Sequence, residues 1–257
     1  MSINRAALKS SAKTLISRPK PAPISVGLVY LGISVLFSLL STRLLGIKLS
    51  ETDMNQIMSY IQSYNYEYAM LYLRDYMPPA SSYIIDLALE VLSYILSAGF
   101  IIFLLNVIRE REACYGNLLD GFGIFGRVIL LEILSSIFIF LWSLLLVIPG
   151  IIAAYRYRMA IYILIDHPEL SVMDCLRESK RMMSGHKWEL FMLDLSFIGW
   201  TFLSSLTVVG WFVSIFTTPY FGLTYALYYE ALCGHANFSM PDLYNNNTHN
   251  DASHWEG

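Results

Sequence analysis

The sequence predicts an all-α polytopic membrane protein, a bundle of six transmembrane helices with two interfacial amphipathic helices. Composition is the first reason. Of 257 residues, 56% are hydrophobic and 14% are charged, with 17 basic and 20 acidic side chains. A soluble domain carries roughly 25% charge, and a chain of this size would need that polar surface. The second reason is that apolar runs of spanning length recur. The third is that lysine and arginine fall in alternate connections. A mean hydropathy of +0.51 excludes a disordered chain and an ordinary cytosolic enzyme. A net charge of −3 and a pI near 5.9 give no electrostatic footprint for nucleic acid.

Residues 1–23 are basic, with Arg5, Lys9, Lys13, Arg18 and Lys20 and no acid before Glu51. The apolar run over 24–47 is longer than the roughly 7–15 residues of a signal-peptide core, and no A-x-A site follows it. It reads as a retained first span. Further spans are predicted over 83–108, 124–148, 151–165, 190–208 and 211–232, each near the length a bilayer requires. The fourth is short and holds two arginines. Pro149-Gly150 joins the third to the fourth, and Val209-Gly210 the fifth to the sixth, so both pairs read as tight antiparallel hairpins.

The N-terminal segment, the loop opening Arg109-Glu110-Arg111 with Arg127 beyond it, and the loop holding Arg177, Lys180, Arg181 and Lys187 fall on one side if there are six spans. The opposite side holds only Lys48 and Arg74 in its long loop. Positive residues mark the cytoplasmic side. Both termini are therefore expected in the cytoplasm, with residues 24–236 as the membrane domain.

Two surface helices are expected. In the non-cytoplasmic segment 48–82, Tyr60, Tyr64, Tyr68, Tyr72 and Tyr76 recur every four residues, a slowly drifting stripe on one helix. Tyrosine suits the headgroup region, so this reads as an interfacial helix ended by Pro78-Pro79. Within 168–188, Ser171 and Asp174 form an S-x-x-D cap. Val172, Leu176, Ser179 and Met183 take one face, Asp174, Arg177, Glu178 and Arg181 the other, and Gly185 is the stop. The polar tail 237–257 is expected to be disordered. His235, His249 and His254 lack the spacing of a metal site, and Cys114, Cys175 and Cys233 are too scattered for a disulfide frame.

Ionisable residues inside spans are costly and each requires an account. Asp86 and Glu90 lie four apart in the second span, with Ser93 and Ser97 extending the face. Arg156 and Arg158 lie about 9 and 12 Å from Pro149 at roughly 1.5 Å per residue. The matching depths predict an ion-pair cluster of Asp86 and Glu90 with Arg156 or Arg158, which Arg43 joins unless it snorkels to the surface. A second set, nearer the cytoplasm, comprises Glu132, Asp194 and Glu230, with Arg127 and Lys187 as candidate counterions. Either set reads as structural pairing or as a proton or substrate path, pairing being the weightier reading. A fainter pattern is Pro149 followed six residues on by Tyr155, and Pro219 by Tyr225, an echo of a duplicated hairpin.

No G-x-S-x-G, H-E-x-x-H or P-loop is present. No catalytic, cofactor-binding or metal-ligating set is therefore expected. Residues 148–200, IPGIIAAYRYRMAIYILIDHPELSVMDCLRESKRMMSGHKWELFMLDLSFIGW, resemble an uncharacterised bacterial membrane-protein family, domain of unknown function 975. The segments INRAALKSSAKTLI, LLDGFGIFGR and TTPYFGLTYALYYEAL resemble it too. The three-proline segment 18–23 and the asparagine-rich tail do not. The resemblance implies a multi-pass protein of the bacterial plasma membrane and no activity. A vaguer likeness in helix pattern links it to membrane domains attached to some glycerophosphodiester phosphodiesterases, without their catalytic residues.

The expected function is thus that of a non-enzymatic integral membrane protein acting through lipid or protein contacts, its partners being the bilayer and either another membrane protein or a second copy. The alternatives are a small transporter or exporter component using the acid–arginine cluster, and a membrane enzyme acting on lipid.

Overall fold

The computed structural model describes residues 3–16, 21–46, 50–206 and 209–234. The expectations for Arg18, Lys20, Lys48, the tail 237–257 and its histidines, with His235, lie outside them. The described chain is helical, with no β-strand among its elements. It divides into two compact units. One runs up to Leu31 and resumes at Tyr94; the other is Gly32–Ser93. Helices α2 (Pro23–Leu45) and α5 (Ala80–Ile108) contribute to both.

The first unit begins with α1 (Arg5–Ile16), an amphipathic helix whose Leu8, Ser11, Ala12 and Leu15 are buried. It packs against the last helix, α13 (Val209–Leu232). After α5 come the short α6 (Asn117–Asp120), a 3-10 turn over Gly121–Ile124, and α7 (Phe125–Leu145). Here α5 passes very close to the α6 turn. A Cβ on Gly99 would stand 2.1 Å from the Leu118 carbonyl oxygen, and one on Gly121 would stand 2.1 Å from that of Ile95. Backbone meets backbone, so only glycine fits at either place.

The α7 helix turns straight into α8 (Val147–Tyr157) through one extended residue, Leu146. The turn expected at Pro149-Gly150 thus lies three residues earlier. Pro149 occupies the first turn of α8, where its missing N–H costs nothing. A Cβ on Gly150 would stand 2.0 Å from the Ser143 hydroxyl, and its absence lets the hairpin close. α9 (Ala160–Asp166) continues the same run.

α10 (Val172–Met182) takes the form its sequence predicts. Ser171 accepts the Asp174 N–H at 3.2 Å, and Gly185 follows at φ 88°. Val172, Leu176, Ser179 and Met183 are buried, together with Cys175, whose thiol burial pushes up. The helix docks on the bundle, where Ser179 Oγ donates to the Arg156 carbonyl at 2.8 Å. The predicted fifth span is broken at Ser196-Phe197 into α11 (Lys187–Leu195) and α12 (Ile198–Ser204).

The second unit corrects the tyrosine stripe. It is carried by two helices, α3 (Glu51–Gln62) and α4 (Tyr66–Arg74). Tyr64 takes φ 55° between them, and the Asn65 N–H bonds the Tyr60 carbonyl at 2.8 Å. This Schellman stop reverses the chain. The tyrosines therefore meet across a hairpin, with Tyr60 6.1 Å from Tyr68 and 6.2 Å from Tyr72 between ring centroids. Asp53, in the capping box of α3, receives the hydroxyls of Tyr72 at 2.9 Å and Tyr76 at 2.7 Å.

Four segments are long and apolar enough to cross a membrane: Pro23–Leu45, Ala80–Ile108, Asn117–Leu145 and Val147–Asp166. These correspond to the first four predicted spans. α11 and α12 are individually too short. α13 has the length, but Thr217, Thr218, Thr224 and four tyrosines dilute it.

Candidate functional site

Among the described residues, an ionic constellation of three side chains lies where α5, α9 and α13 end. The α5 helix finishes in another Schellman stop, with Glu110 at φ 52° and the Arg111 N–H on the Asn106 carbonyl at 2.9 Å. Arg109 is thereby the last residue before the chain turns. Its two terminal nitrogens donate to Asp166 Oδ1 at 2.7 Å and Oδ2 at 2.6 Å, a bidentate pair. Its Nε donates to Glu230 Oε1 at 2.6 Å. Tyr229 completes the set, its hydroxyl donating to Asp166 Oδ2 at 2.9 Å. The three charged side chains are only 8–14% exposed. Hydrogen bonding to Asp166 pushes the guanidinium pKa further up, against the pull of burial. The cluster borders a cleft of about 840 Å3 that Asn106, Arg111 and His167 also line. One cation against two carboxylates leaves the trio with a formal charge of −1.

The echo of proline and tyrosine has a physical counterpart. Tyr155 of α8 donates to Asp194 Oδ2 at 2.8 Å, and Tyr225 of α13 donates to Asp194 Oδ1 at 2.7 Å. Each tyrosine stands six residues after its proline, and the two fill the two oxygens of one half-buried carboxylate on α11. Arg158 lies over the Tyr225 ring, 4.9 Å from its centroid. Arg156 lies 5.5 Å from the centroid of Trp142. Both are within cation–π reach.

The other expected charges are placed as follows. Asp86 and Glu90 lie on the second-unit part of α5. With Ser93 they line a groove of about 330 Å3 whose other wall holds Ser34, Phe37, Ser38 and Ser41 of α2. Arg43 is exposed further along α2. Arg156 and Arg158 belong to the first unit. Glu132 is half-buried on α7. Glu230 is paired with Arg109, whose sequence position places it at the opening of the loop after the second span. Arg127, expected as a counterion, instead donates to the carbonyls of Pro168 (at 2.7 Å) and Leu170 and ties α7 to the loop before α10. It is held there because those carbonyls, lying between helices, lack helical donors of their own. Among the described residues no group of histidine, cysteine and acidic side chains could hold a metal ion.

The fold and its apolar helices fit a membrane protein. Residues 144–236 match the model of a family described as a protein of unknown function, DUF975, so the resemblance read from 148–200 is shown over that stretch. The match covers α8 to α13, and with them Asp166, Asp194 and Glu230; Arg109 lies outside it. No curated protein and no solved structure matches the chain.

Proposed function

We propose that the chain is a non-enzymatic integral protein of a bacterial plasma membrane, crossing it six times with both termini in the cytoplasm and acting through lipid or protein contacts. The carrying observation is where large apolar side chains stand exposed. Many stand on the apolar helices and at their hairpin tips: Leu36 and Leu39 on α2, Phe140 and Leu144 on α7, Ile151 on α8, Phe202 on α12 and Phe212 on α13. In water such a surface is a liability, and in lipid it is the expected exterior. The clamp at Arg109 joins three helix ends and engages both carboxylates with one guanidinium, which suits a positioning role.

The topology is tested by cysteine labelling with an impermeant maleimide in intact cells, after Cys114, Cys175 and Cys233 are replaced. Tyr64→Cys and Ser205→Cys should label without permeabilisation, and Lys180→Cys only after it. Protection of Ser205→Cys in intact cells would remove the fifth and sixth crossings.

A second reading, a small solute-handling component, is favoured by the groove between α2 and α5. Two carboxylates and four serines line it on helices that are otherwise apolar. Polar residues inside a span mark ion or substrate paths. In proteoliposomes under a potassium diffusion potential, a pH-sensitive dye should report proton entry that Glu90→Gln and Asp86→Asn abolish. Equal traces for the wild type and both variants would leave the first reading alone.

A further inference from the structure

We propose that α1 is a binding helix for anionic phospholipid headgroups at the cytoplasmic surface, an inference that rests on the cytoplasmic placement of the N-terminus proposed above. Arg5, Lys9 and Lys13 are spaced four apart and so form one stripe along the helix. At 3.6 residues per turn that stripe lies roughly 110° around from the face buried by Leu8, Ser11, Ala12 and Leu15. The helix is thus fixed to α13 by one side and presents cations on its flank. Arg5 and Lys13 are exposed, and Lys9 is half-buried with its ammonium 4.6 Å from the centroid of Phe197.

What separates this stripe from other basic surfaces is the absence of neutralisation. On α10, Arg177 pairs with Asp174 and Arg181 with Glu178. On α1, no described carboxylate pairs with any of the three cations, and the sequence has no acid before Glu51. Burial lowers the Lys9 pKa, and so does repulsion from Arg5 and Lys13. An anion bound along the stripe relieves that repulsion. The helix also lies close to a bilayer by construction. Only six residues separate Ile16 from Pro23, where the first apolar helix starts, and the seven steps between them reach at most about 25 Å. A polybasic segment beside a spanning helix fits an anionic leaflet, at roughly five-fold in affinity per charge.

The test uses the full chain in nanodiscs of phosphatidylcholine alone or with 30% phosphatidylglycerol, read by amide hydrogen exchange over residues 5–16. Phosphatidylglycerol should slow exchange at least five-fold in the wild type. It should do so equally in Lys180→Gln and not at all in the Arg5→Gln/Lys9→Gln/Lys13→Gln triple variant. Size-exclusion behaviour and helical content of the triple variant establish that it is folded; should it fail to fold, Lys13→Gln alone must still weaken the effect. Identical exchange in both lipids overturns the proposal, as does full protection by inorganic phosphate in phosphatidylcholine discs, which would make the ligand a free anion. Nanodiscs expose both faces, so the lipid result does not depend on sidedness. Labelling of Ser10→Cys in intact cells tests sidedness separately.

Discussion

Arg109 shows what one residue can hold at a helix end. It faces two carboxylates that are nearly buried, and it satisfies both through the geometry of a planar fork. Removing it strands two negative charges in a protein interior, a loss typically of about 3–5 kcal/mol. Arg109→Gln should therefore lower the thermal unfolding temperature in detergent by many degrees, or prevent accumulation. Arg109→Lys should fall between, because an ammonium keeps the charge and loses the bidentate fit. Asp166→Asn placed in the Arg109→Gln background should recover part of the loss by removing one stranded charge. A fully stable Arg109→Gln single variant would contradict this account. The cluster was half legible. Glu230 stood out as an acid at the end of an apolar run. Arg109 and Asp166 end two other predicted spans on the same side, so a comparison of span ends by level would have grouped all three. Distance along the chain hid them, because Arg109 and Glu230 are 121 residues apart. The convergence of Tyr155 and Tyr225 on Asp194 was legible only as a repeated spacing. Spacing along two helices does not say which third helix lies between them.

Elements differ in how much of their geometry their own sequence determines. α10 was readable in full because its cap, its buried face and its stop are all local signals. The α3–α4 hairpin was misread because a four-residue period carries no mark of reversal. Tyrosine at the left-handed position of Tyr64 costs roughly 1–2 kcal/mol, so the usual glycine signal was missing. The tertiary bonds to Asp53 are part of what holds that turn. The Ser50 hydroxyl and N–H, with Tyr76 and Tyr72, hold the Asp53 carboxyl well below the usual carboxylate range. A depressed folded-state pKa means the contribution is complete above the unfolded value near 4 and is lost as pH falls through the folded one. Amide exchange over residues 50–63 should accordingly keep its protection from pH 7 to pH 4.5 and lose it progressively below. Asp53→Asn should be equally exposed at every pH. The close crossing of α5 by the α6 turn makes a sharper mutational prediction. Gly99→Ala or Gly121→Ala drives a methyl into a carbonyl oxygen that belongs to packed backbone, at about 1–3 kcal/mol or more. Gly123→Ala, with nothing within 4 Å, should unfold within about 0.5 kcal/mol of the wild type.

At the scale of the whole chain, the low charge and high hydropathy indicated a bilayer, and the pattern of burial in the first unit gives that indication a physical test. Its core residues come from α1, from the later turns of α5 and α13, from α9, α10 and α11, and from the start of α7, where Val128 and Leu131 are buried. Beyond Leu131 the same helix turns its apolar side chains outward, with Ile137 at 47% and Phe140 at 65% exposure. One helix thus passes from a stretch with buried side chains to a stretch that packs on α8 along one side and leaves its other apolar side chains uncovered. Composition could not locate that change, since both stretches are equally apolar; only packing separates them. If the outward stretch faces lipid, Ile137→Arg places a charge near the middle of a spanning helix and costs about 2.5–3.5 kcal/mol on insertion scales. If it faces water, the same change is worth within about 0.5 kcal/mol, as for any exposed site. Met173→Arg on α10, similarly exposed at 45%, is the internal control, because α10 docks on the bundle by one face and carries the charged Asp174, Arg177, Glu178 and Arg181 outside it. Measured as the fraction of α7 glycosylated or protease-protected in a membrane-insertion assay, together with accumulation of the full chain in the membrane fraction, Ile137→Arg should fall several-fold and Met173→Arg should not. Equal behaviour of the two variants would place α7 beyond Leu131 in water, and the reading of this chain as a polytopic protein would lose its strongest helix.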